Sequence, residues 1–340
     1  MTPRQHGTRQ HGTRDDGTRA RARGALHGLA VGDALGMPTQ STSRAQIVER
    51  YGVLVDRFRP GPPDHPIAAG MPAGSVTDDT EQAVLLGRLL VESGGRIDAA
   101  ELGRRLARWE TVMRERGSMD LLGPSTRRAV AALAAGVDPT ESGRDGTTNG
   151  AAMRIAPVGI AVPVGDVLVE RVVEASFATH GTGVALAGAA AVAAAVSAGI
   201  DGASVRETFE PAAEAAAVAV GMGRWVAGAD VAERIRWATG FIRGRREPLE
   251  TISALVGTSL ATQESVPAAF AVLAVAGDDP WLACRLGASV GGDCDTIAAM
   301  AGAIAGACCG VDALPVRARV EHLDLDGLAD GLWALRCTAG

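Results

Sequence analysis

Between Gly183 and Ile200 the chain carries no charge and consists mainly of Ala, Val and Gly. A helix of that composition has no polar face to turn outward, so other elements must enclose it. Ala-rich segments of similar character run from Pro211 to Val226, Val266 to Ala276 and Thr296 to Cys309. Small residues at helical spacing, such as Ala298, Gly302, Ala305 and Gly306, let two helix backbones approach closely. An aromatic content of 3% agrees with a core packed in this way rather than around large rings. Alternating β-branched runs between turn signals are scarce, so the pattern predicts an all-α protein. The apolar run reaches the lower length limit of a membrane span. Ala and Gly transfer weakly into lipid, however, so a buried core helix is expected, and no membrane partner.

No break in composition divides the chain, and a single domain over residues 23–338 is expected. Residues 5–19 read QHGTR, QHGTR, DDGTR, a polar repeat with nothing to bury, so residues 1–22 are expected to form a disordered tail. Beyond Arg23 the pattern turns helical. Asp98 and Glu101 have the spacing of a capping box, and Ser125 is expected to open a helix that stops at Gly136. The stretch from Arg59 to Gly74, rich in Pro and Gly, reads as a surface loop.

All 33 basic residues are arginine. The absence of lysine excludes Schiff-base chemistry, a pyridoxal-phosphate anchor and a Walker lysine, which leaves carboxylates and metal as the available catalytic chemistry. A net charge of -6, with arginines scattered among carboxylates, argues against nucleic acid as a partner. The five cysteines, Cys284, Cys294, Cys308, Cys309 and Cys337, have no C-x-x-C spacing, so neither a disulfide framework nor a zinc site is expected. The polar N-terminus carries no apolar signal region, and a cytoplasmic location is expected.

Five segments carry chemistry. In Ser75–Thr80, ordinary capping explains one of Thr77 and Asp78 but not two adjacent aspartates flanked by threonines. Such a cluster at the positive end of a helix offers oxygen ligands to a hard cation. Gly291–Thr296 aims Asp293 and Asp295 out of a Gly-rich turn, again directly before a helix. Four carboxylates cannot share a site without cations, so Asp78, Asp79, Asp293 and Asp295, with Thr77 and Thr296, predict a two-metal oxygen site. The glycines of Gly28–Gln40 lack the spacing and preceding strand of a dinucleotide loop, and a tightly packed helix running into a turn fits better. Thr147–Pro157, with Asn149-Gly150, exposes backbone N–H groups suited to a phosphate, and His180 at a helix start is a second donor.

Taken together and in order, GDALGMP (32–38), TDDT (77–80), NGAAMRIAP (149–157), TH (179–180) and GGDCDT (291–296) resemble the ADP-ribosylglycohydrolase family. The resemblance implies an all-α, single-domain orthogonal bundle around a central binuclear magnesium cleft, with manganese as the substitute ion. It implies Thr77, Asp78, Asp79, Asp293, Asp295 and Thr296 as metal ligands. It places Asn149, Gly150, Met153 and His180 along the ribose and diphosphate side, with Gly291 and Gly292 allowing close approach of the ligand. Members commonly carry a glutamate where this chain has Gln40, and an amide binds a hydroxyl or water without accepting a proton. Asp78, Asp79 or Asp295 is therefore the expected base. Removal of ADP-ribose from a protein side chain such as arginine is the leading expectation. Hydrolysis of a small N-riboside or nucleotide, and binding of ADP-ribose with weak catalysis, are the alternatives.

Overall fold

The computed structural model of the protein describes residues 8–118, 122–318, 320 and 322–339. Helices dominate, and among the described residues the only β pairing is three isolated bridges, Thr42–Gly292, Thr148–Ala261 and Thr182–Arg224. The helices that frame the site are α1 (Thr8–Gly36), α2 (Asp78–Glu92), α3 (Ala99–Glu115), α4 (Pro124–Ala134), α5 (Gly150–Met153), α6 (Gly183–Ile200), α7 (Thr262–Ala276), α8 (Cys294–Cys309) and α9 (Leu325–Ala339). One continuous apolar cluster runs from Ala22 in α1 to Leu332 in α9, so the all-α, single-domain expectation holds.

The uncharged helix α6 is the buried centre of this cluster, with 94% of its apolar window enclosed by protein. Thr182 caps it by accepting from the Ala185 amide. Beside it, α1 and α8 lie in backbone contact. A methyl group added at Gly24, Gly28 or Gly32 would fall 2.2, 2.0 or 2.1 Å from the carbonyl oxygen of Gly306, Gly302 or Ala298. The small residues recognised on α8 thus face a matching stripe, one glycine every fourth residue of α1. At the C-terminal end of α1, a methyl group on Gly36 would lie 2.3 Å from the Asp295 Cα, so the seam runs directly into the acidic turn.

Several boundaries differ from expectation. α1 begins at Thr8, so the boundary between residues 22 and 23 falls inside a helix, and only residues 1–7 of the expected tail, His6 among them, lie outside the described residues. Arg19 and Arg23 both bind Asp330 of α9, and Trp333 donates to Thr18, so a segment with little apolar surface is held by charge instead. α4 opens at Pro124 after Gly123, which offers no side-chain cap, rather than at Ser125. The helix expected over 211–226 spans Phe209–Ala219 and tightens into a 3-10 turn at Val220–Met222. The loop over 59–74 is not confined to the surface. His65 is buried, because Nδ1 accepts from the Ile67 and Ala68 amides and Nε2–H donates to the Gln40 carbonyl at 2.8 Å.

Candidate functional site

The N-terminus of α2 is built around Asp33, a buried residue in the last turn of α1. Its carboxylate accepts from the amide and hydroxyl of Thr77 and from the amide and hydroxyl of Thr80. Burial pushes Asp33 up to about 6, against the pull of these hydrogen bonds. The sequence reading saw Asp33 only as part of a Gly-rich helix end. The missed signal is chemical: a carboxylate among Gly, Ala and Leu in a core helix needs donors from elsewhere.

Thr77 is the N-cap of α2 and accepts from the Asp79 amide. Asp79 is buried, and its Oδ2 accepts from the Thr296 hydroxyl at 3.1 Å and lies 3.2 Å from the Thr77 hydroxyl oxygen, whose proton goes to Asp33 at 2.8 Å. The other oxygen, Asp79 Oδ1, has no hydrogen-bond partner, and neither does Asp295 Oδ1. Asp293 accepts from the Asn149 amide nitrogen, which also donates to the Ser265 hydroxyl at 2.9 Å. Burial, then the neighbouring carboxylates, raise Asp79 and Asp295 well above the usual range, and burial lifts Asp293 to about 6. Buried Arg154 is linked to Asp78 through Gln82: Arg154 donates to the Gln82 side-chain oxygen at 3.2 Å, and Gln82 Nε2 donates to Asp78 at 2.8 Å. Burial lowers Arg154 to about 10.

These groups meet in a cleft of about 520 Å³. Of the residues singled out from sequence, Gln40, Asp78, Asp79, Asn149, Gly150, Met153, Gly292, Asp293, Asp295 and Thr296 line it. Thr77, His180 and Gly291 stand behind it. His180 is fully buried and held neutral, well below its usual pKa, by burial and by Arg154 and Arg128. Thr179 Oγ1 donates to the Ser176 carbonyl and accepts from Arg154, so His180 Nδ1–H donates to it as well. His180 Nε2 is therefore the acceptor of the Thr148 hydroxyl at 3.1 Å, and the ring reaches the cleft only through Thr148. Gly150 makes room for it, since a methyl group there would lie 2.9 Å from the imidazole. Gly291, at φ +87°, lies close to the Arg44 backbone, where a methyl group would fall 2.7 Å from the Arg44 nitrogen.

Besides Thr148 of the Thr147–Pro157 segment, the cleft uses residues outside the marked segments: Ser41, Ile67, Leu122 to Pro124, Thr126, Arg127, Ser259 and Leu260. They come from loops and from the first turn of α4, distant in sequence from one another, and no local pattern identifies them. Gln40 presents a buried amide nitrogen without a partner. The donors are hard oxygens, carboxylate and hydroxyl, which suit a divalent cation such as magnesium better than a soft metal. Among the described residues no three His, Cys, Asp or Glu side chains close tightly enough to hold an ion unaided.

The ADP-ribosylglycohydrolase family model matches residues 14–340. An uncharacterised protein of Escherichia coli (strain K12), YegU, is 36% identical over 306 residues, covering 88% of this chain and 91% of that protein. The ADP-ribosyl-[dinitrogen reductase] glycohydrolase of Rhodospirillum rubrum is 32% identical over 142 residues, 42% of this chain and 44% of that enzyme. A solved structure described as an ADP-ribosylglycohydrolase-related protein complex superposes with a TM-score of 0.72 at 28% identity, covering 94% of this chain and 99% of the other. The chain belongs to the ADP-ribosylglycohydrolase family and is a glycosidase of the kind that hydrolyses linkages of ADP-ribose.

Proposed function

We propose that the protein releases ADP-ribose from a protein side chain, arginine foremost, with two magnesium ions, or manganese in their place, held by Thr77, Asp78, Asp79, Asp293, Asp295 and Thr296. The observation that carries this reading is the pair of buried carboxylate oxygens, Asp79 Oδ1 and Asp295 Oδ1, left without partners. A buried anion with neither cation nor donor is costly, and a hard cation is the partner that suits it. Magnesium binds through one or two carboxylates and keeps several waters, so an open set of this kind is enough for it. When bound, it supplies positive charge that keeps the carboxylates ionised, holds sugar hydroxyls and makes water more acidic.

The residues divide the remaining work. Breaking the ribosyl C1 bond develops oxocarbenium character, which the carboxylates of the cleft stabilise. Asp79 and Asp295, with Asp78 beside them, take the proton of the attacking water, and their unpartnered Oδ1 atoms are the acceptors open to it. Gln40 donates its unpartnered N–H to a substrate or water oxygen. Thr148, its proton committed to His180, turns lone pairs toward a ligand donor. Calorimetric titration of magnesium into metal-free protein, paired with release of ADP-ribose from an arginine-modified peptide, tests the reading. Replacing Asp293 and Asp295 together by Asn should abolish both, and a fully active double variant would overturn it.

One observation favours hydrolysis of a small N-riboside or nucleotide instead. Among the described residues that line the cleft there is no aromatic ring on which an adenine could stack. Release of base from a nucleoside at a rate above that of the modified peptide would support that second reading.

A further inference from the structure

Beside the cleft, α2 and α3 leave between them a groove of about 610 Å³. Its floor is apolar and half-exposed, made by Leu85, Trp109, Val112 and Leu323. The Trp109 indole donates to Glu81, which pins the ring in place. Five arginines stand round the rim. Arg105 is spent on Glu92 and Glu101, and Arg104 on Glu101. Arg88, Arg108 and Arg116 are exposed and line the groove without an ion pair among the described residues. Arginines that look scattered along the sequence are thus gathered in space, on a protein whose net charge is -6.

The groove adjoins the catalytic cleft. Asp78 and Asp79, in the first turn of α2, line the cleft, while Glu81 in the same turn lines the groove. Leu122 to Pro124, Thr126 and Arg127, which line the cleft wall, follow α3 in the chain. A chain lying in the groove would therefore have its neighbouring residues at the cleft mouth. We propose that the groove docks an acidic, amphipathic segment of the modified protein, its carboxylates pairing with Arg88, Arg108 and Arg116 and its apolar side chains seated on Trp109 and Leu85. Glu81, Glu92 and Glu101 interrupt the positive rim, which suits spaced carboxylates on a peptide better than the continuous phosphates of a nucleic acid. The inference rests on the protein-linked substrate proposed above.

The test uses three substrates: a peptide of alternating Glu and Leu with one ADP-ribosylated arginine, the same peptide with Gln for Glu, and ADP-ribosylated guanidine. The acidic peptide should show a KM about tenfold lower than the Gln peptide, as three exposed charge pairs imply, and the advantage should fade at high salt. The R88E/R108E/R116E variant, and more mildly R88Q/R108Q, should lose the advantage while kcat and KM for ADP-ribosylated guanidine stay unchanged. An advantage that survives in both variants, or is absent from the wild type, overturns the docking. If no substrate is turned over, it is the catalytic reading that fails. Anisotropy of the unmodified, fluorescein-labelled acidic peptide then tests the groove alone, and binding unaffected by R88Q/R108Q overturns it. Equal binding of a labelled RNA of matched charge would overturn the assignment to protein.

Discussion

The two ends of the α1–α8 pair follow opposite rules. From Gly24 to Gly32 the backbones touch through glycine, and the seam holds only small apolar groups. One turn further on, Gly36 still touches Asp295, but the side chains beyond it are carboxylates that repel one another and leave buried oxygens unpartnered. The same close approach thus produces a stiff joint at one end and an unsatisfied charge cluster at the other. A rigid seam is what allows the cluster to persist, because side chains free to relax would part. The contrast predicts that damage to the seam costs stability and that relief of the site restores it.

The largest effect belongs to the seam. Gly28→Val places atoms about 2 Å from the Gly302 carbonyl, a clash with backbone rather than with a movable side chain. Loss of about 3 kcal/mol or more is expected in urea unfolding. Gly221→Ala, where a methyl group meets nothing within 4 Å, should stay within about 0.5 kcal/mol of the parent. Equal effects of the two substitutions would end the claim that close approach holds the fold.

The next effect reads the site through protons, in metal-free protein kept in chelator. Asp33 and Asp293, lifted to about 6 from 3.8, bind protons in the folded state that the unfolded chain has already released. Folding is therefore favoured at low pH, and stability falls as pH rises from about 4 through 6, on the order of 2–3 kcal/mol per group at most. Magnesium should flatten this slope, since a bound cation replaces the proton. Asp295→Asn removes one repelling carboxyl, so it should raise the metal-free unfolding free energy at pH 7 by about 1–2 kcal/mol while eliminating turnover. A variant that is both less active and less stable would break the contrast with the seam.

Much of this was legible in the sequence because it depends on local chemistry. Thr77, Asp79, Asp293 and Thr296 sit at helix starts that capping rules expose, and the α6 core helix follows from the absence of any polar face. The missed features are those in which one segment completes another. Asp33 has meaning only once Thr77 and Thr80 donate to it, and His65 only once Gln40 lies beside it. His180 is buried behind Thr148, a placement sequence does not reveal, because a helix-start histidine looks the same whether it faces a ligand or a threonine that does. Composition shows little apolar surface in the N-terminal repeat, whereas its last arginine, Arg19, finds Asp330 more than 300 residues later.

That clasp supplies the smallest effect, with the opposite sign of pH dependence. Hydrogen bonds from Arg19, then Arg23, hold Asp330 far below its usual value. A depressed acid stabilises the fold only while ionised. Its contribution is complete above the unfolded value of 3.8 and is lost as pH falls beneath it, the range in which the protonated site carboxylates are at their most favourable. Asp330→Asn should lower stability at pH 7 by about 1 kcal/mol, the scale of a half-exposed bidentate pair, and the difference should shrink steadily as pH falls below 3.8. Hydrogen exchange along α1 would localise it: faster exchange before Ala22, with unchanged protection from Gly24 to Gly32, separates a segment held by charge from a seam held by contact. Faster exchange along the whole helix would show that the clasp and the seam are one cooperative unit, and that the division drawn between them is too sharp.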